Sequence, residues 1–246
     1  YGYTEYYDNG GKLKNSGVEL SVDHRYQVGK FIWTLGATVS KQINTVTALK
    51  FINPAQDKIV IETEGAAYVI SAGEAVNAFY GYKTNGIYNE AWEAAAVTGP
   101  NGIPMQAGDI RYVDADNNNV IDDKDKTIIG DPNPKWFGGV STTLSWQQFE
   151  LLAFFTYSAG NDAFNYVRYK GESMDTYNNQ FTSVSDRWTP SNTDAGLPRA
   201  SYGDPTGNTV FSDRWIEDAS YFRCKQVTIT YDLPVTRFYK GLTVYV

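Results

Sequence analysis

Two alternating runs at residues 17–41 restrict this chain more than any other feature. In the first, Val18, Leu20, Val22, His24 and Tyr26 fall on one side, and Glu19, Ser21, Asp23, Arg25 and Gln27 on the other. After Val28-Gly29-Lys30, the return run sets Phe31, Trp33, Leu35, Ala37 and Val39 against Ile32, Thr34, Gly36, Thr38 and Ser40. A period of two gives each strand one apolar and one polar face. Strands this long exceed the roughly five or six residues usual in globular domains. Tyr26, Phe31 and Trp33 gather at the turn end. A hairpin with lipid on one face, water on the other and an aromatic girdle at the boundary has this pattern.

The pattern recurs twice. Val140, Thr142, Leu144 and Trp146 alternate with Ser141, Thr143, Ser145 and Gln147. A short turn leads into Phe149, Leu151, Ala153, Phe155 and Tyr157, so Trp146 and Phe149 flank that turn. The third pair carries Val227, Ile229 and Tyr231, turns over 233–240 and starts a last strand at 241. Arg223 and Lys225 share the phase of Val227 and Ile229. A Lys or Arg at the membrane midplane costs about 2–4 kcal/mol, so either a bulge intervenes or that strand end leaves the hydrocarbon.

Between the hairpins lie long polar insertions at about 42–135 and 159–219. Loops of that length usually carry function. Short turns on one side and long loops on the other match the sidedness of outer-membrane barrels. The first insertion has strand-like pieces at 58–62 and 78–82, and a short helical stretch at 91–96. No apolar run reaches 18 residues, so no membrane-spanning helix is encoded. A net charge of −7 argues against nucleic acid as a partner.

Catalytic signals are absent from the pattern. His24 is the only histidine and lies in phase with an apolar face; its neighbour Asp23 falls on the opposite face, and no nucleophile or acid partner for catalysis is visible. Cys224, the only cysteine, is expected to be a buried, inert thiol. The chain is therefore not expected to be an enzyme.

The sharpest local motif runs from Asp114 to Asp125. Asp114, Asp116, Asn118, the Val120 carbonyl, Asp122 and Asp125 stand at positions 1, 3, 5, 7, 9 and 12 of a calcium-type loop. Asn119 takes the position that normally needs glycine for a positive φ, and Ile121 is expected to pin the loop by packing. The loop departs from an EF-hand in ending on Asp125 rather than Glu and in lacking flanking helices. A structural Ca2+ is the cofactor this spacing points to, against an Asx-rich turn without metal. Among the aromatic residues of the insertions, Tyr80, Tyr82, Trp92, Trp188 and Trp215 are the candidate ligand contacts, because aromatic faces near Asn and Asp can stack on a sugar or peptide.

Longer stretches resemble a known family. Gly108-Asp109-Ile110-Arg111-Tyr112-Val113-Asp114, running on to Ile129-Gly130-Asp131-Pro132-Asn133-Pro134-Lys135, is similar to a signature of the SusC/RagA family of TonB-dependent outer-membrane transporters of Bacteroidota. So are residues 79–88, Asp186-Arg187-Trp188-Thr189-Pro190, Trp215-Ile216-Glu217-Asp218-Ala219-Ser220-Tyr221-Phe222-Arg223 and Tyr231-Asp232-Leu233-Pro234. The resemblance implies an all-β fold: a segment of an antiparallel transmembrane β-barrel of about 22 strands, plugged, with long extracellular loops. Residues 1–246 would form a late part of that one barrel domain, with the plug and the final strands absent. Both ends look cut, and an isolated segment would leave two unpaired strand edges in lipid.

The resemblance further implies import of glycans or oligopeptides across the outer membrane of a Gram-negative bacterium. A SusD-like surface lipoprotein would be the lid, and a TonB complex, reached through the missing N-terminal part, the energy source. It carries over no substrate-contact residue. The alternative is a secreted carbohydrate-binding β-sandwich with a structural calcium. A sandwich would bury Val18, Leu20, Val22, Leu35 and Val39 against a second sheet; a barrel would turn them outward.

Overall fold

The structure, a computed structural model, describes residues 9–50, 56–235, 237 and 241–246. Positions 236 and 238–240 of the third turn lie outside the described residues. In chain order the strands are β1 (Gly11–Val28), β2 (Phe31–Leu49), β3 (Lys58–Thr63), β4 (Ala66–Ser71), β5 (Ala78–Gly81), β6 (Thr84–Ile87) and β7 (Ile110–Tyr112). They continue with β8 (Thr127–Gly130), β9 (Trp136–Trp146), β10 (Phe149–Ala159), β11 (Asp162–Phe164), β12 (Ile216–Asp218), β13 (Tyr221–Leu233) and β14 (Leu242–Tyr245). Among the described residues there are two short α-helices, α1 (Ala91–Ala95) and α2 (Tyr166–Glu172), and two 3-10 turns at Thr182–Asp186 and Asp213–Trp215. Helix α1 matches the helical stretch expected at 91–96; α2 gave no periodic signal over its seven residues.

The chain divides into two compact units. One, the wall unit, comprises 14–44, 133–161 and 218–246. It holds a six-stranded sheet in the order β1-β2-β9-β10-β13-β14. The registers explain why this sheet forms. Phe31 pairs Trp146, Trp33 pairs Leu144 and Ala37 pairs Val140. Trp146 pairs Phe149, Leu144 pairs Leu151 and Val140 pairs Phe155. Phe149 pairs Tyr231, Leu151 pairs Ile229 and Ala153 pairs Val227. Tyr231 then pairs Val244, and Leu233 pairs Leu242. Directly paired residues point to the same face, so one face is apolar across five strands. The other carries Thr34, Thr143, Thr228 and Thr243 with Ser141, Glu150 and Gln226. The one hydroxyl at mid-height of the apolar face, Thr142 Oγ1, accepts a hydrogen bond of 2.9 Å from the Trp33 indole.

Among the described residues, every buried apolar side chain of the core lies outside the wall unit. Val18, Leu20 and Val22 are 72, 57 and 52% exposed, and Leu35 and Val39 are half-buried. The sandwich alternative fails here: its discriminating residues meet no second layer. The apolar face runs from the Phe31–Trp146 row to the Lys41–Trp136 row, ten residues along β2. At about 3.4 Å per residue and a strand tilt of about 35–45°, that is a band of roughly 24–28 Å, the height of an outer-membrane barrel's lipid belt.

The register breaks between Phe154 and Phe155, where Phe154 pairs Gln226 but Phe155 pairs Cys224. Lys225 is the extra residue of a β-bulge. The bulge moves Arg223 to the polar face opposite Thr156 and leaves Cys224 and Phe222 on the apolar face. It resolves the charged phase that the sequence left open. Phe222 stacks on Phe155 with ring centroids 5.3 Å apart. Cys224 is exposed rather than buried, because its face of the single-layer sheet has no covering element. Gly138 is required where it stands: a Cβ there would collide with the Thr38 carbonyl and meet the Tyr157 hydroxyl at 2.9 Å.

The second unit comprises residues up to 13, 45–132 and 162–217, essentially the two insertions folded together. Its sheets are β3-β4-β5-β8, β6-β7 and β11-β12. Tyr82, Tyr88, Ala94, Met105, Ile110, Tyr112 and Ile121 form its main core, and Val69, Ala78 and Tyr80 a smaller one. This unit buries apolar groups in the manner of a water-soluble domain.

Candidate functional site

Asp109 organises the insertion unit. It is fully buried at the entry to β7. Its Oδ1 accepts from Arg199 Nε at 2.7 Å and from Asn208 Nδ2 at 2.8 Å, and its Oδ2 accepts from the Gln106 amide at 2.8 Å. Asn208 Oδ1 in turn accepts from the Ile110 amide at 2.7 Å. Neighbouring backbone bonds join Gly108 to Tyr88 and Arg199 to Gly108. One carboxylate thus ties the first insertion to the second across about ninety residues of chain. Gly108 (φ +88) completes the joint, because a Cβ would run into the Trp188 ring.

The same unit holds an open cavity of about 590 Å³, lined by residues of both insertions. Tyr80 and Tyr82, two of the expected ligand contacts, line it together with Tyr169. Neither is a freely presented aromatic face, since they are only 6 and 5% exposed. The Tyr80 hydroxyl accepts from Lys58 Nζ at 2.6 Å. The Tyr82 ring packs on Tyr112 at 5.5 Å and lies 5.5 Å from Lys126 Nζ. Lys126 itself pairs with Asp123 at 2.7 Å. Burial raises the Tyr82 phenol well above its ordinary value, and Asp123, Asp125 and Asp122 add to the rise.

The other expected contacts are dispersed. Trp215 is fully buried, packed edge-on against Tyr169 at 5.3 Å and under the Arg214 guanidinium at 4.2 Å. It is a core residue and offers no face to a ligand. Trp188 is half-buried, and its indole donates to Asn89 Oδ1 at 2.8 Å. Trp92, on α1, is 75% exposed. Two further insertion aromatics come together in space: the Tyr177 and Tyr202 rings lie 4.5 Å apart while 89 and 67% exposed. Their separation in sequence hid the pairing.

The acidic loop is ordered by its own side chains. Asp114 accepts from the Asn118 and Asn119 amides at 3.2 and 2.6 Å. Asp125 closes the loop by accepting from the Ala115 and Asp122 amides, both at 2.8 Å. Asn119 adopts φ 61° in the place expected for glycine, and Ile121 is 2% exposed within the main core. One carboxylate oxygen each from Asp114, Asp116 and Asp125 lie within 4.8 Å of one another. Asn118 is adjacent, donating to Asp116 Oδ2 at 3.0 Å. Asp122 is turned to the Lys124 amide at 2.7 Å, outside the converging set. Val120 makes a bridge pairing with Thr98. Although desolvation pushes it up, the amides of Asn119, Asn118 and Asn117 hold the Asp114 carboxyl below its ordinary value. Convergent oxygens suit a hard cation.

No family model matches the chain. It is similar to TonB-dependent receptor P26 of Formosa agariphila, 28% identical over 253 residues, covering 99% of this chain and 25% of that protein. It is also similar to TonB-dependent receptor SusC of Bacteroides thetaiotaomicron, 29% identical over 248 residues, 95% of this chain and 22% of the other. Among solved structures, the RagAB peptide transporter superposes with a TM-score of 0.76 at 25% identity, over 99% of this chain and 26% of that one. The RagAB peptide importer in its closed-closed state gives 0.75 at 26% identity, again over 99% and 26%. The chain spans about a quarter of the length of the curated relatives it matches. Over nearly its whole length, therefore, the chain resembles the TonB-dependent receptors of the SusC and RagA kind in sequence and in fold, as a segment of their antiparallel β-barrel.

Proposed function

We propose that this chain is part of an active importer in the outer membrane of a Gram-negative bacterium, supplying barrel wall and loop surface for uptake of glycans or oligopeptides. The observation that carries the reading is the wall itself: a sheet with one apolar face, no buried core among its described residues and a belt of membrane height. Its likeness to TonB-dependent receptors supports it. A SusD-like lipoprotein is the proposed partner at the loops, and a TonB complex the energy source. Tyr80, Tyr82, Trp92 and Trp188 are the aromatic residues retained as ligand contacts. In the acidic loop, Asp114, Asp116 and Asp125 would hold a structural Ca2+ that reinforces the loop's own hydrogen bonds, with Asn118 and the Val120 carbonyl as further oxygen ligands.

The test is uptake by cells expressing the full-length transporter. Labelled oligopeptides and oligosaccharides should enter only when TonB and the proton gradient are intact. Equal entry without TonB would refute active import. Recovery of the protein from the culture medium as a folded, lipid-free species would refute the membrane assignment.

A further inference from the structure

We infer that the cavity of the insertion unit is a subsite for oligomers bearing primary ammonium groups, with the exposed Tyr177–Tyr202 pair as its stacking platform. The inference rests on the importer reading and deepens it by naming a ligand chemistry. Glu62, Asp123, Asp175 and Asp204 line the cavity, and Lys126 is the one Lys or Arg among the lining residues. Lys126 and Asp123 neutralise one another and Lys58 is tied to the Tyr80 hydroxyl at the cavity wall, so the carboxylates left to a ligand are Glu62, Asp175 and Asp204. Asp204 is held by the Asn208 and Thr209 amides at 2.6 and 2.8 Å, which fixes its place without cancelling its charge. Glu62 is exposed at the end of β3, and the Asp175 carboxylate accepts from the Ser173 hydroxyl at 2.6 Å, a neutral partner that leaves its charge in place. An excess of carboxylates around a concave, partly desolvated site attracts cations and repels anions.

The tyrosine pair gives the second part. Side chains 89 and 67% exposed gain little from hydrophobic burial, so their contact at 4.5 Å is not core packing. The chain joins them to the cavity: the Gly203 amide, next to Tyr202, donates to the Asp175 carbonyl at 2.8 Å, two residues before Tyr177. Gly203 and Asp175 both line the cavity. Exposed rings joined by the chain to these lining residues suit ammonium groups by cation–π attraction and suit the flat face of a sugar or peptide.

The probes are an octapeptide with alternate lysines, the same peptide acetylated on each lysine, a glucosamine hexamer and an N-acetylglucosamine hexamer. Binding to the purified full-length transporter is measured by calorimetry at low ionic strength, and uptake of the same probes in cells. An ammonium probe is expected to bind about tenfold or more tighter than its acetylated counterpart, and the tighter of the two ammonium probes identifies peptide or amino sugar as the source. Glu62→Gln with Asp175→Asn should erase that gap and leave the acetylated probes unchanged, whereas Glu62→Asp should keep it. Tyr177→Ala with Tyr202→Ala should weaken both members of a pair. Equal affinities for charged and acetylated probes, or a gap that survives Glu62→Gln with Asp175→Asn, would overturn the inference. Selective binding without TonB-dependent uptake would overturn the importer reading and leave the subsite standing; unselective binding with intact uptake would do the reverse.

Discussion

Asp109→Ala is the sharpest test of how the insertion unit holds together. The substitution removes a fully buried carboxylate that accepts three hydrogen bonds, at 2.7, 2.8 and 2.8 Å. It leaves the Arg199 guanidinium, whose side chain is 23% exposed, without its partner. Breaking a buried pair by deleting one member costs about 3–5 kcal/mol, because a charge remains unpaired. At about 1.4 kcal/mol per factor of ten, the unit should open roughly two to three and a half decades more often. Hydrogen exchange of the full-length protein reads this at the amides of Tyr88, Gly108 and Ile110, which bond to the Asp109 carbonyl, the Tyr88 carbonyl and Asn208. Amides of β9 and β10 are the internal control. Arg199→Met combined with Asp109→Leu should cost less than the two single changes added, since no charge is then stranded. Less than a tenfold change in exchange for Asp109→Ala, or strict additivity in the pair, would refute the assignment of Asp109 as the joint.

Three further outcomes are expected. Deleting Lys225 removes the bulged residue and keeps Arg223 and Val227 on their present faces, so membrane folding is retained; deleting Thr228 throws one end of β13 onto the wrong face, and folding should fail. Heat-modifiable migration on gels distinguishes the two. If the acidic loop holds calcium, chelation should expose residues 114–125 to protease, and Asp125→Ala should abolish the effect of chelator; equal cleavage with and without calcium would remove the metal from the account. Glu217 is held below the ordinary carboxyl range first by Asn165 and then by Arg168. A carboxyl lowered on folding contributes stability above its unfolded value of 4.5, lost as pH falls through the folded value. The stability difference between the native chain and Glu217→Gln should therefore shrink below pH 4.5, by exchange measured across that range; a difference constant down to pH 2 would contradict it.

The wall was legible because its determinants are local. A strand's two faces are written in alternate letters, and hairpin neighbours such as Trp146 and Phe149 pair across a two-residue turn. Even the bulge left a mark, as charges at Arg223 and Lys225 in an apolar phase. The insertion unit was opaque because its bonds join residues about ninety to a hundred apart, as Asp109 does with Arg199 and Asn208. Tryptophan at 215 and tryptophan at 92 look alike in sequence, yet one is fully buried and the other 75% exposed. No periodicity separates them, since neither stands in a long regular element. The acidic loop is intermediate: spacing brought Asp114, Asp116 and Asp125 together, but not the turn of Asp122 toward Lys124.

The two units answer to opposite solvents, and this separates stability from specificity within one chain. Beyond cross-strand contacts such as Phe155 on Phe222, the wall's apolar side chains have no protein layer over them, so on the importer reading substitutions there act through the membrane belt and its girdles. The insertion unit buries Tyr112, Met105 and Ile121 against its own residues and so keeps its own core. A change in the cavity, such as Glu62→Gln, alters charge at an exposed position and leaves that core intact. Ligand preference can therefore diverge through the cavity's carboxylates and the Tyr177–Tyr202 pair while Asp109 and the wall registers stay as they are. Asp109 is the constraint on that divergence: it sits between both insertions, so a new specificity that displaced Arg199 or Asn208 would cost the unit its joint before it changed the ligand.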